Sequence, residues 1–325
     1  MLKILKPLVY LLVSFCVFGC KTEKNKDLDT NLKADLVYNI HAQLGEGALW
    51  NCKTQELYWV DIENKTLNIY DPKTKTNTVF KTKSRIGTVV PVSESEALVA
   101  LEDGVYILNL NSGTTNRFVN MENELVGSRL NDGKCDPSGR FWVGSMHLNQ
   151  ETGKANLYCL NGRGELEEKL TNRTISNGIV WTSNKKTMYY IDTPTSQIKA
   201  YDYDDATATI SNERVVVEIP VDFGFPDGMT IDEEDMLWVG MWNGNGVIRF
   251  NPKTGKAIQK IEVPAHNVTS CAFGGENLDV LYITTASVDM TAEEILKYPH
   301  AGSLFSVVPG VKGVCANFFN KPTNY

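Results

Sequence analysis

The sequence predicts an all-β fold, a six-bladed β-propeller, on three observations. Short runs rich in aromatic and β-branched residues recur from Asp35 onward, each bounded by Asp, Gly, Asn, Ser or Pro. These runs fall into a longer unit of four strands joined by turns, and six such units fit between Gly45 and Val308 at a period of roughly 40–50 residues. No long helical period interrupts them; only a short stretch near Thr291 to Leu296 reads as helix. One four-stranded unit cannot bury both of its faces, whereas a ring of them buries all faces and leaves short edges.

The first residues read as a targeting segment. Lys3 and Lys6 precede an apolar run, Pro7 to Gly19, which is shorter than the roughly 20 residues that a bilayer requires. Val17-Phe18-Gly19-Cys20 resembles a bacterial lipobox, with a small residue before the cysteine that becomes acylated. The expectation is a signal peptide over 1–19 and a lipid anchor on Cys20. The protein would then be an exported bacterial lipoprotein, periplasmic or at the cell surface. An ordinary signal peptide with an incidental cysteine is the plainer alternative. Residues 20–33 are rich in Lys, Asp, Asn and Thr and read as a flexible tether, leaving 34–325 for the propeller.

Within that domain the second strands of the units stand out. They are Leu57 to Asp61, Ala97 to Leu101, Arg140 to Gly144, Thr187 to Asp192, Asp235 to Gly240 and Val280 to Thr284. Third strands follow, such as Leu67 to Tyr70 and Gly246 to Phe250, and Asp71-Pro72-Lys73-Thr74 turns the chain again. Leu36 to Ile40 precedes the first full unit and is expected to join the last blade, beside Ser303 to Val307, and so close the ring. Five cysteines follow the anchor: Cys52, Cys135, Cys159, Cys271 and Cys315. Their wide spacing and odd number predict buried free thiols rather than a disulfide framework. The net charge of −7 and the lack of a basic run exclude nucleic acid as a partner. They leave membrane contact to the anchor alone.

Four polar positions recur at one place in the repeat. Glu46 stands in Leu44-Gly45-Glu46-Gly47, Asn131 and Asp132 before Gly133, Asn177 in Ser176-Asn177-Gly178, and Asp227 in Pro226-Asp227-Gly228. One such pair alone is ordinary turn chemistry. Four in register predict side chains converging at one mouth of a central channel, with the glycine supplying backbone freedom. The tryptophans read as blade core, except that Trp242 and His147 are placed to reach the rim.

These residues resemble the regucalcin/gluconolactonase family. The resemblance rests on Leu44 to Gly47, Arg129-Leu130-Asn131-Asp132-Gly133-Lys134, Asp136 to Met146, Ser176-Asn177-Gly178, Pro226 to Met229 and Ala301 to Phe305, in order along nearly all of the domain. It implies a metal in the axial channel held by Glu46, Asn177 and Asp227, with Arg129 and Asn131 holding the substrate. Ala48 stands where many members carry proline, and residues 147–154 follow no single subgroup.

The chemistry of the residues agrees. Two carboxylates and an amide oxygen form a hard site suited to a divalent ion, calcium first, with magnesium, manganese or zinc as alternatives. Such an ion polarises a carbonyl and acidifies water. No GxSxG elbow offers a covalent route. None of the four histidines occupies the repeated position, so Asp227 is the expected general base. The expected activity is hydrolysis of a sugar lactone by a monomer. Two rivals are a non-catalytic metal-binding propeller that serves as scaffold and a broader esterase; a more apolar channel would favour the latter.

Overall fold

The computed structural model describes residues 28–322. Six small sheets form a ring; the first four have four sequential strands each, and the last two each take in an early strand. The innermost strands of blades 1 to 6 are Gly45–Asn51, Ile86–Pro91, Ser128–Cys135, Ser176–Trp181, Phe225–Ile231 and Asn267–Gly274. The three further strands of a blade follow outward, as in blade 1: Glu56–Asp61, Thr66–Asp71 and Thr76–Lys81. The alternation of the outer strands accounts for their position: Thr76–Lys81 and Thr115–Asn120 are polar and mostly exposed. Inner and second strands are buried along nearly their whole length, because a neighbouring blade covers each face.

The core lies between blades rather than at one centre. Trp59, Trp142 and Trp238 occupy second strands and are fully buried, as expected of blade core. Each finds an acceptor for its indole N–H. Trp142 and Trp238 donate to Asp136 and Asp232 at 2.9 Å, and Trp59 to Asn77 at 3.2 Å. Asp136 also accepts from Arg140 and Tyr203, so the Asp-Pro-Ser-Gly-Arg motif is a buried brace between blades 3 and 4. The short helix is Ala292–Lys297, capped by Thr291, whose side chain and Glu294 bond reciprocally.

Asp35–Tyr38 pairs antiparallel with Leu304–Val307 and completes blade 6, so an early strand closes the ring on a late one. The tether boundary at Lys33 needs correction. Asp29–Lys33 is a strand that pairs in parallel with Lys256–Glu262 and makes blade 5 five-stranded. Its polar side chains remain exposed; backbone hydrogen bonds to an open sheet edge and the packing of Leu32 hold it, and neither leaves a compositional trace. The signal peptide and Cys20 lie outside the described residues.

The thiol expectation is also corrected. Cys52 and Cys315 form a disulfide with a Cα–Cα distance of 6.0 Å; Cys135, Cys159 and Cys271 are free and buried. The disulfide is part of a C-terminal strap that crosses the end of the ring where the inner strands finish. Gly313 bonds Leu278 of blade 6 and bridges Asp232 of blade 5. Asn317 donates to the Cys135 carbonyl of blade 3, and Phe319, fully buried, bonds Pro91 of blade 2. The cross-link closes a loop of 263 residues. Replacing both cysteines by serine is expected to cost about 2–5 kcal/mol of stability with turnover unchanged, since the pair is at the end away from the candidate site. Denaturant unfolding of the oxidised protein and of the double variant checks this; coincident curves would refute it.

Candidate active site

A single structural device sets the site. Every innermost strand pairs with its neighbour through one irregularity, and in each case the inner strand carries one extra residue. The slips fall at Glu46/Leu49, Ile86/Thr88, Leu130/Gly133, Ser176/Ile179, Pro226/Met229 and Val268/Ser270. A bulge breaks the two-residue alternation and re-aims side chains that would otherwise enter the inter-blade core. In blade 1 the bulge follows directly on Glu46, and in blades 3, 4 and 5 it presents Asn131 and Asp132, Asn177, and Asp227. In blade 2 it presents Gly87 instead, and in blade 6 Thr269.

The adjoining glycines serve differently from expectation. Only Gly47 has positive φ, at 60°. The others serve close approach. A Cβ on Gly178 would stand 2.5 Å from Met229 Cβ, and one on Gly133 would meet the Trp142 carbonyl at 2.4 Å. A side chain at Gly178 would push the inner strands of blades 4 and 5 apart, and one at Gly133 would push its strand from the second strand of blade 3.

The structure brings Glu46, Arg129, Asn131, Asn177 and Asp227 to one cavity of about 550 Å³ at the mouth opposite the strap. All five are buried, 4–6 % exposed, so their polar atoms face the cavity or one another. Arg129 Nη1 donates to Asn131 Oδ1 at 2.7 Å and to the Leu130 carbonyl at 3.0 Å. Asn131 Nδ2 in turn donates to Asn177 Oδ1 at 3.1 Å and to the Ser176 carbonyl at 2.8 Å. Asn177 Nδ2 donates to Thr193 Oγ1 at 2.7 Å, which fixes the amide so that its oxygen accepts from Asn131; Thr193 donates to the Pro226 carbonyl at 2.8 Å. The network thus runs across blades 3, 4 and 5.

Glu46 Oε2 accepts from the Gly47 N–H at 2.8 Å, and the Glu46 and Asp227 carboxyls are in mutual hydrogen-bonding contact. Burial is the largest cause raising Glu46 above the usual carboxylate range, followed by the charge of Asp132. Burial and then the charge of Glu46 raise Asp227. Burial lowers the Arg129 guanidinium to about 10, which leaves it cationic at neutral pH. Asp132 Oδ1 accepts from the Gly133 N–H at 2.7 Å. Its Oδ2 is buried without a partner.

This donor set fits a divalent cation. Buried carboxylates held in contact need opposing charge. Arg129, the cation whose charge acts on them, spends Nη1 on neutral oxygens. Glu46, Asp227 and the Asn177 oxygen are hard ligands.

Of the two rim expectations, Trp242 lines the cavity with Phe225, whereas His147 does not; it lies over Gly127 and beside Glu151. Sequence reasoning missed Arg85 on the wall, held by Glu63 at 2.9–3.0 Å and by Glu102 at 3.1 Å. It also missed Thr193. Neither belongs to a repeated motif. Thr193 was within reach, since Thr193-Pro194-Thr195 follows the second strand of blade 4 toward the same mouth.

The family description "SMP-30/Gluconolactonase/LRE-like region" matches residues 44–287 of this chain. "Putative sugar lactone lactonase YvrE" of Bacillus subtilis is 41 % identical over 279 residues, covering 86 % of this chain and 94 % of that protein. Regucalcin of Danio rerio is 36 % identical over 298 residues, covering 88 % and 97 %. A solved structure described as a calcium-binding protein, regucalcin, from Agrobacterium tumefaciens superposes with a TM-score of 0.86 at 24 % identity, over 90 % of this chain and 99 % of that one. At that identity the likeness establishes the six-bladed fold.

Proposed function

The chain belongs to the SMP-30/gluconolactonase/LRE-like family, and from that premise we propose that it opens the ring ester of a sugar lactone with one divalent cation in the channel. The observation that carries the reading is the convergence of Glu46, Asn131, Asn177 and Asp227 from four blades, beside Arg129, on the floor of one cavity. Its volume of about 550 Å³ suits a monosaccharide lactone.

Glu46, Asn177 and Asp227 would hold the cation, calcium first. When bound, it supplies positive charge that polarises the lactone carbonyl and makes water more acidic. Arg129 and Asn131 bind and orient the oxygens of the ring ester. Asp227 takes a proton from the attacking water as its oxygen bonds to the carbonyl carbon. The bond from that carbon to the ring oxygen then breaks, and the same proton returns to the ring oxygen, giving a hydroxy acid. Trp242 and Phe225 offer apolar surface to the ring face.

A panel of sugar lactones, alkyl lactones and aryl esters, assayed after chelation and again with added calcium, magnesium, manganese or zinc, tests the proposal. Sugar lactones should be turned over only with a cation restored. No turnover of any sugar lactone under any cation would sink it, and preferential turnover of aryl esters would move the substrate class.

Cation binding also has an expected pH dependence. Carboxyls raised in the fold ionise there at a cost, so without a cation stability falls as pH rises from the usual carboxylate range through about 7, where Glu46 ionises. A cation offsets that cost, and protons compete with it at low pH. Calcium at about a hundred times its Kd should add roughly 2.7 kcal/mol at pH 8 and much less at pH 5. Thermal unfolding at the two pH values reads this; equal shifts would count against carboxylate ligands.

The lipid anchor belongs to the same proposal. Cys20→Ser should release the protein from the membrane fraction with turnover intact, and wild-type protein recovered wholly soluble would refute acylation.

A further inference from the structure

Outside the floor, the charged side chains lining the carboxylate cavity are Glu63, Arg85 and Asp289. Glu63 and Arg85 stand in the sector of blade 2, the blade whose bulge offers Gly87 rather than a polar side chain. Polar groups there come from the turns at the mouth instead. Glu63 follows the second strand of blade 1, Arg85 immediately precedes the inner strand of blade 2, and Glu102 follows the second strand of blade 2.

Arg85 Nε donates to both Glu63 oxygens, at 3.0 and 2.9 Å, and Nη1 donates to Glu102 at 3.1 Å. Arg85 Nη2 donates to none of the described residues and is not buried. The Glu63 and Arg85 side chains are 27 % and 35 % exposed. Each carboxylate oxygen has more than one lone pair, so Glu63 can accept again beside a guanidinium that can donate again. An acceptor and a donor side by side suit neighbouring hydroxyls on a sugar ring.

The charges do not suit an anion. Arg85 faces two carboxylates and is more than neutralised by them. Burial lowers the Arg129 guanidinium, and first among the charges opposing that fall is Glu63, ahead of Glu46. With a divalent cation balancing Glu46 and Asp227, Arg129 answered by Glu63 and Arg85 by Glu102, no positive charge remains for an anionic substituent. Asp289 opposes one.

We propose that Glu63 and Arg85 are the specificity-determining pair of this site: they hydrogen-bond hydroxyls of the substrate ring, and the surplus carboxylate charge turns away lactones that carry a carboxylate or a phosphate. The pair rests on the lactonase reading for its substrate, but its test rests on binding alone.

Methyl β-D-glucoside and methyl β-D-glucuronide differ only in a hydroxymethyl against a carboxylate at C6, and neither is a lactone. Their affinities are measured by calorimetry in the presence of calcium. The glucoside should bind about tenfold tighter or more, and added sodium chloride should narrow the gap. Glu63→Gln keeps an oxygen acceptor and removes the charge, so the preference should shrink by about tenfold. Adding Glu102→Gln leaves Arg85 unpaired and should reverse it. Arg85→Met should weaken the glucoside by about tenfold, the loss of a charged hydrogen bond. Equal or tighter binding of the glucuronide by the wild type, binding of neither ring, a preference unmoved by Glu63→Gln or a glucoside affinity unmoved by Arg85→Met overturns the proposal. Should a variant not fold, the wild-type comparison still decides. Turnover keeps the two readings apart. A glucoside preference in a protein that opens no sugar lactone keeps the pair and sinks the lactonase, whereas sugar lactone turnover with the glucuronide bound as tightly does the reverse.

Discussion

Asp227→Asn should lower kcat by about 10²–10⁴, the range for loss of a positioned general base, in a protein that remains folded and still binds a cation. The substitution keeps the size of the side chain and one oxygen ligand but removes the second oxygen and its charge. It is informative because Asp227 is buried against Glu46, whose charge, after burial itself, makes Asp227 harder to ionise. Removing one of the two charges relieves that repulsion. In cation-free buffer above neutral pH the asparagine variant should therefore melt at or above the wild-type temperature, while calcium binds it more weakly and raises its melting temperature less. Stability and activity move in opposite directions, which separates loss of chemistry from loss of fold. Turnover is read at calcium saturation, with occupancy measured directly. A near-normal kcat there would remove Asp227 from the base role and leave it as a ligand alone.

Arg129→Ala should lower kcat/KM by about 10²–10³, the scale seen when one preorganised donor to a developing oxyanion is removed. Arg129 is positioned twice over: the Leu130 carbonyl and Asn131 Oδ1 both accept from Nη1, so the guanidinium plane is set before substrate arrives. Its charge also stabilises the ionised forms of Glu46 and Asp227. Loss of that charge should move the acidic limb of the rate profile to higher pH, because the carboxylates must then ionise without a neighbouring cation. Arg129→Lys should restore the limb in part but not the rate, since an ammonium cannot reproduce the planar fork. A rate loss with an unmoved profile would confine Arg129 to substrate contact. A moved profile with full activity would confine it to charge balance.

Much of this was legible in the residues. Alternation with a period of two, punctuated by Asp, Gly, Asn and Pro, exposes strands and turns because both are local properties of a few consecutive residues. Six repetitions of the pattern expose a ring, since no single unit could bury its faces. The polar residues before glycine were visible for the same reason: they stand at one place in the repeat, and Glu46, Asn131, Asn177 and Asp227 do line one cavity.

Other features could be decided only by the tertiary structure. A bulge exists only relative to a partner strand, so the extra residue that turns Asp227 toward the channel is invisible until Pro226 and Met229 are paired with Met241 and Val239. Gly133 and Gly178 could have answered to a backbone angle or to a crowded neighbour, and only the packing of neighbouring strands shows that it is crowding. The polar strand Asp29–Lys33 is held largely by backbone groups, which every sequence possesses. Cys52 and Cys315 stand 263 residues apart, and their pairing follows from where the strap crosses the ring. Local periodicity therefore determined the elements and the choice of polar residues. Contacts distant in sequence decided which way those residues point, because orientation in a sheet depends on the partner strand as much as on the residue itself.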